Sequence, residues 1–195
     1  MELFAENGYD SVSVGEIARS VGIKAPSLYS HFPGKQAIFD AIVEDTSEQF
    51  DKYTDAVAIH VRNADCDTAL FSKITENDLI EKVRQIFNIS MHNKSIVLFR
   101  KMMTIEQFRS AELSALYTGR YVERILAYHA EIFKSLIAAG ELKNENPETL
   151  ALMYVAPIIT LIGVCDRQPE RENECIQKLD EHVRLFYRTY NTACL

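Results

Sequence analysis

The 195-residue chain holds only 7 glycines and 5 prolines, about half the share of turn formers in an average globular protein. At 47% hydrophobic and 25% charged it has the composition of a folded globular protein, which excludes disorder, and too few turn residues for a β-sandwich, barrel or propeller. A net charge of -7 argues against a nucleic-acid partner unless the cations are gathered in one place.

Long helices are the expectation, in chain order as follows. Leu3 and Phe4 open with a short apolar stretch. Ser13 stands as N-cap with Glu16 three residues on as capping-box partner, so a helix is expected over 14–20 with Val14, Ile17 and Ala18 inward. Gly22 supplies a turn, Pro26 opens a second short helix over 25–31, and Pro33-Gly34 closes it. From Lys35 the residues Phe39, Ile42, Val43, Phe50, Tyr53, Val57 and Val61 keep a helical beat, which predicts one long helix. A polar break follows over 63–67. Thr75 then caps a helix carrying Leu79, Val83, Ile86, Phe87 and Met91, and another is expected over 94–108. A long helix over 111–139 ends at Gly140. Pro147 begins a helix whose stretch 150–164 is apolar nearly all round. After Pro169 a last helix shows Ile176, Leu179, Val183, Phe186 and Tyr190 at alternating steps of three and four. An apolar excess of this kind, with Ile158 and Ile162, predicts a helical bundle completed by a second copy of the chain.

Several function classes drop out. The nearest glycines are seven residues apart, so neither a dinucleotide-binding Gly-x-Gly-x-x-Gly nor a P-loop is present. The apolar run over 150–164 is shorter than the roughly 20 residues that cross a bilayer, and Glu2 and Glu6 stand where a signal peptide would be basic. Cys66, Cys165, Cys175 and Cys194 never reach Cys-x-x-Cys spacing, which fits reduced thiols in the cytoplasm. No histidine has Asp, Glu or His three or four residues away, and no nucleophile motif occurs; neither an enzyme nor a metal or cofactor site is expected.

Two short helices joined by a glycine turn on an apolar base make a helix-turn-helix, whose second helix is of a size to enter a major groove. No acidic residue lies between Glu16 and Asp40, while Arg19, Lys24, His31 and Lys35 all fall in that window. The run Leu3-Phe4, Gly8-Tyr9, Ser13-Val14, Glu16-Ile17-Ala18, Val21-Gly22-Ile23, Pro26-Ser27-Leu28-Tyr29-Ser30-His31-Phe32 and Gly34-Lys35 resembles the DNA-binding domain of tetracycline-repressor (TetR/AcrR) family regulators.

That resemblance implies an all-α chain, with a helix-turn-helix domain over 1–45 and a helical effector-binding and dimerisation domain over 46–195. It implies phosphate contacts from Ser13, Ser27, Tyr29, His31 and Lys35, and base contacts from Lys24, Ala25, Pro26 and Ser30. Gly15 stands where relatives often carry a base-reading side chain. Met1 falls inside the family's first helix, so the resemblance implies either a fragment or misplaced start, or a marginal domain with weakened DNA affinity. The family likeness also implies a small-molecule pocket in the middle helices, with Phe87, Met91, Phe99, Met102, Met103, Tyr121 and His129 as candidate lining. The function expected is a dimeric, ligand-released regulator of a palindromic DNA operator, most simply a repressor. The alternative is a dimeric ligand-binding module whose DNA binding is weakened or lost.

Overall fold

The computed structural model describes residues 1–56, 59–60, 63–108 and 111–194. Its regular elements are helices: α1 Glu2–Asn7, α2 Val14–Ser20, α3 Ala25–Tyr29, α4 Lys35–Ala56, α5 Ala64–Phe71, α6 Glu76–His92, α7 Lys94–Glu106, α8 Ala111–Tyr117, α9 Arg124–Ala138, α10 Pro147–Arg167 and α11 Glu172–Tyr190. The described residues form two compact units, one of residues 1–50 with 94–117, the other of 51–93 with 118–194.

In the first unit the core gathers on α1. Phe4 and Phe39 are fully buried and meet Tyr9, with ring centroids 5.3 to 5.7 Å apart. Helix α7 packs against α1 and turns Ile96, Phe99, Met102 and Met103 inward. An ion pair between Lys94 and Glu2 at 2.6 Å joins the same two helices. A smaller cluster of Ala18, Leu28 and Ile38 holds α2, α3 and the start of α4 together.

In the second unit α9 lies against α5 and α10, and α11 packs on both α10 and α6. Phe87, Ile132, Leu150, Leu179 and Val183 are among its most buried side chains. Glu76 on α6 takes Arg184 and Arg188 of α11 at 3.1 and 2.8 Å, and Arg84 pairs with Asp180 on the same two helices.

Three elements depart from the sequence expectation. Helix α4 is described as helical to Ala56, and Val57 and Val61 lie outside the described residues. The expected polar break over 63–67 is the start of α5 instead, because Asp65 and Asp67 sit in its first turn, where carboxylates favour the positive end of the helix dipole. The expected continuous helix over 111–139 is interrupted by a π-helical stretch, Thr118–Glu123, which contains Gly119.

Helix α10 outruns the apolar stretch that foretold it, starting where the Asn146 side chain accepts from the Thr149 N–H at 2.8 Å. Its 21 residues are long and apolar enough, by length and composition, to cross a membrane. One side of it, Leu150, Ala151, Tyr154, Val155 and Cys165, is nevertheless buried in the second unit.

Candidate nucleic-acid interface and small-molecule cavity

The capping box opens α2 as expected. Ser13 Oγ accepts from the Glu16 N–H at 3.2 Å, and the Glu16 carboxylate accepts from the Ser13 N–H at 2.8 Å. Gly22 follows with φ 74°, a left-handed turn that side chains rarely adopt, and it reverses the chain into α3. Lys24 is the N-cap of α3 and Pro26 lies in its first turn, where a missing N–H costs nothing. Leu28 anchors α3 inward, while Lys24, Pro26, Ser27, Tyr29, Ser30 and His31 are exposed. Tyr29 leaves 53% of its surface uncovered, its hydroxyl available as a donor to phosphate. Ser30 Oγ donates to the Ser27 carbonyl at 2.7 Å, which tightens the end of the helix.

Lys35 behaves differently. Its ammonium donates to the Tyr9 carbonyl at 2.7 Å and lies 4.3 Å from the Tyr9 ring centroid. The charge is thereby tied to the turn between α1 and α2. The same turn is held from the other side, where the Tyr9 N–H donates to the buried Glu106 carboxylate of α7 at 2.8 Å.

The second unit contains a small pocket of about 40 Å³, room for a few water molecules. Phe71, His129, Phe133, Tyr154, Phe186 and Tyr187 supply its aromatic walls, and Ile74, Leu79, Ile132, Leu136 and Leu142 the aliphatic ones. Glu141 and Asn191 also line it. The Glu141 carboxylate accepts from Ser72 Oγ at 2.6 Å and the Lys73 N–H at 2.7 Å, which hold it below the usual carboxylate range. Nδ1 of His129 lies 2.8 Å from the Ile125 carbonyl, an acceptor, so that nitrogen carries the proton. Burial lowers the His129 pKa to about 4 and keeps the ring neutral.

Next along α9, the Tyr128 hydroxyl donates to Asp67, which also accepts from the His60 backbone N–H at 2.6 Å. His60 Nδ1 meets the other Asp67 oxygen at 2.5 Å, which raises the His60 pKa. Among the described residues, no group of three or more potential metal ligands is assembled.

Residues 1–42 match the family model of bacterial regulatory proteins of the tetR family. The chain is 21% identical over 189 residues to the Bacillus subtilis protein named as HTH-type transcriptional regulator YttP, covering 96% of this chain and 83% of that one. Over 42 residues it is 48% identical to IcaR of Staphylococcus aureus, the negative transcriptional regulator of the biofilm operon icaADBC; this spans 22% of this chain and 23% of IcaR. The N-terminal domain is similar to that of the tetR family. The likeness of fold to solved tetR-type structures covers 97% of the chain. A Mesorhizobium loti protein assigned as a TetR-family transcriptional regulator superposes with a TM-score of 0.73 at 22% identity, covering 97% of this chain and 91% of its own. SmeT, the repressor of the Stenotrophomonas maltophilia multidrug efflux pump SmeDEF, gives 0.65 at 20% identity, covering 97% and 85%. The tetR family is one of DNA-binding transcription regulators, not of enzymes.

Within the chain the residues singled out by sequence scatter. Those of the helix-turn-helix share one exposed stretch from Ser13 to His31, with Ala25 half-buried and Lys35 committed internally. Of the candidate pocket residues only His129 lines the cavity. Phe99, Met102 and Met103 are fully buried in the first unit, Phe87 lies in the core of the second, and Met91 and Tyr121 are half-buried. The alternating seam of α11 serves its own unit: Leu179, Val183 and Phe186 face the core, and Ile176, Tyr190, Ile158 and Ile162 are half-buried beside it. Leu152 and Met153 of α10 and Leu185 of α11 are instead exposed, by 54%, 48% and 68%. Sequence reasoning missed Glu106 and Asp67, which meet Tyr9 and Tyr128 far away in the chain, and Tyr154 in the core of the second unit.

Proposed function

We propose that the protein is a repressor that binds a palindromic operator as a homodimer in the cytoplasm and releases it when a small molecule occupies the second unit. The observation that carries this reading is the exposed row Lys24, Ser27, Tyr29 and Ser30 on a short helix anchored by Leu28. Tyr29 and Ser27 donate to phosphates and fix register; Lys24 donates to guanine O6 or N7, and Ala25 and Pro26 offer apolar contact to a thymine methyl. Two such helices enter successive major grooves about 34 Å apart. The exposed Leu152, Met153 and Leu185 supply the apolar centre of the dimer contact.

Relatives support the repressor and effector parts. IcaR is a negative regulator, SmeT is a repressor of an efflux pump and forms a complex with triclosan, and FrrA is flavonoid-responsive. Helix α4 runs through both units, residues 35–50 in the first and 51–56 in the second, and is the element through which an effector state sets the spacing of the DNA-binding helices. Fluorescence anisotropy of the purified protein on palindromes from around its own coding sequence tests the reading. A salt-sensitive preference for one palindrome over scrambled DNA is expected. A salt-sensitive but sequence-blind response, or none, would overturn it in favour of a ligand-binding module without an operator.

A further inference from the structure

Helix α3 ends in a way that fixes the hydrogen-bonding polarity of one exposed side chain. In a helix that ran on, the His31 N–H would bond the Ser27 carbonyl; here it donates to the Leu28 carbonyl at 3.1 Å, beside the Phe32 N–H at 3.0 Å. The Ser27 carbonyl accepts instead from the Ser30 hydroxyl at 2.7 Å. A carbonyl can only accept, so the one proton of Ser30 Oγ lies in that bond and the oxygen turns lone pairs outward. Ser30 is exposed and stands at the C-cap with helical backbone angles. It follows Pro26 by four residues, which puts both on one face of α3.

We propose that Ser30 is a specificity-determining residue that reads DNA purely as a hydrogen-bond acceptor, taking the exocyclic amino group of an adenine (N6) or a cytosine (N4) in the major groove. A serine hydroxyl ordinarily pairs with either kind of base edge, because it rotates to suit. In this chain rotation would strip the Ser27 carbonyl of its donor at a surface from which bound DNA excludes water, where an unmade hydrogen bond costs most. A guanine or thymine in the same place turns O6 or O4 towards the Ser30 lone pairs, acceptor against acceptor, and is rejected. Lys24, at the other end of α3, carries donors only. The helix therefore asks for an acceptor edge at its start and a donor edge at its end, a polarity that orients each half-site. The assignment rests on the operator reading above and deepens it.

The test uses the full chain and a pool of duplexes with a randomised centre, from which the protein selects its own motif. In one half-site of the selected duplex each adenine is replaced in turn by purine and each cytosine by pyrimidinone, which deletes the amino group and keeps the ring. Binding is read by anisotropy for the wild type and for Ser30→Ala, which keeps the fold because the position is exposed. At one position, loss of the amino group should weaken the wild type about fivefold, the worth of one hydrogen bond, and leave Ser30→Ala unaffected. Replacing the purine of that pair by its 7-deaza analogue, which deletes the N7 acceptor, should change neither protein. Ser30→Thr retains a hydroxyl and should follow the wild type. A pool that yields no shared motif overturns the operator reading and the assignment together. A shared motif in which every amino group counts equally for the wild type and Ser30→Ala keeps the operator reading and overturns the assignment. A Ser30-dependent loss that follows N7 rather than the amino group overturns it as well.

Discussion

Ser13 uses one hydroxyl twice within the protein, accepting from the Glu16 N–H and donating to the Glu16 carboxylate at 2.7 Å. Ser13→Ala deletes both bonds and should lower stability by about 1 kcal/mol, seen as a lower urea midpoint. Burial sets the behaviour of two other side chains. His129 is neutral when folded, with a pKa of about 4 against 6.5 when free, so the unfolded chain takes its proton first and acid favours unfolding. The resulting loss of stability should appear as pH falls from about 6.5 towards 4. Urea melts at pH 7 and pH 4.5 should therefore show a larger acid-induced drop for the wild type than for His129→Leu. The opposite sign at His60, whose pKa is raised by Asp67, is common to both proteins and cancels in that comparison. Cys165 is buried beside Cys175 and its thiol is pushed up to about 12, so it is almost wholly protonated at neutral pH. Iodoacetamide on the native protein should modify exposed Cys66 and spare Cys165 and Cys175, as mass spectrometry of the labelled peptides would show.

At the scale of elements, sequence patterns were informative where the physics is local. Helix α2 occupies 14–20 as read because its cap, its carboxylate partner and its inward Ala18 lie within six residues of one another. Helix α6 is equally legible, since Thr75 caps it by accepting from the Asp78 N–H and its apolar stripe repeats without interruption. The start of α5 read as a polar break because Asp67 is polar in sequence and buried in the fold, and its burial is tolerable through Tyr128, 61 residues away. For the same reason the cavity was invisible apart from His129: its lining comes from α5, α6, α9, α10 and α11, and no short window holds that combination. The seam of α11 was legible as a stripe but silent on what it faces, since the period is the same for a core and a dimer. Leu152 and Leu185 are the outward residues of the proposed dimer contact. The double substitution Leu152→Glu with Leu185→Glu should convert a dimer to a monomer by light scattering, with the thermal midpoint of the monomer little changed, because both side chains are more than half exposed.

For the whole molecule, the sum of the charges conceals their arrangement. Residues 1–50 carry only Arg19, Lys24 and Lys35 as cations, and Lys35 is committed to the Tyr9 carbonyl. In the proposed dimer Lys24 reads guanine, so Lys24→Ala should weaken operator binding by about 1–3 kcal/mol per half-site and relax the preference at that base pair, as anisotropy on single-base operator variants would show. An unchanged preference would remove that residue from the interface.

The return of α7 to α1 bears on how this protein can be taken apart. Residues 94–117 belong to the unit that carries the helix-turn-helix, with Phe99, Met102 and Met103 in its interior and Glu106 holding the Tyr9 N–H. A chimaera made by grafting residues 1–50 alone onto another regulator would remove the helix that packs on α1 and leave that amide without its carboxylate. The reading head of this regulator is inherited in two instalments, and any exchange of specificity between paralogues has to carry both.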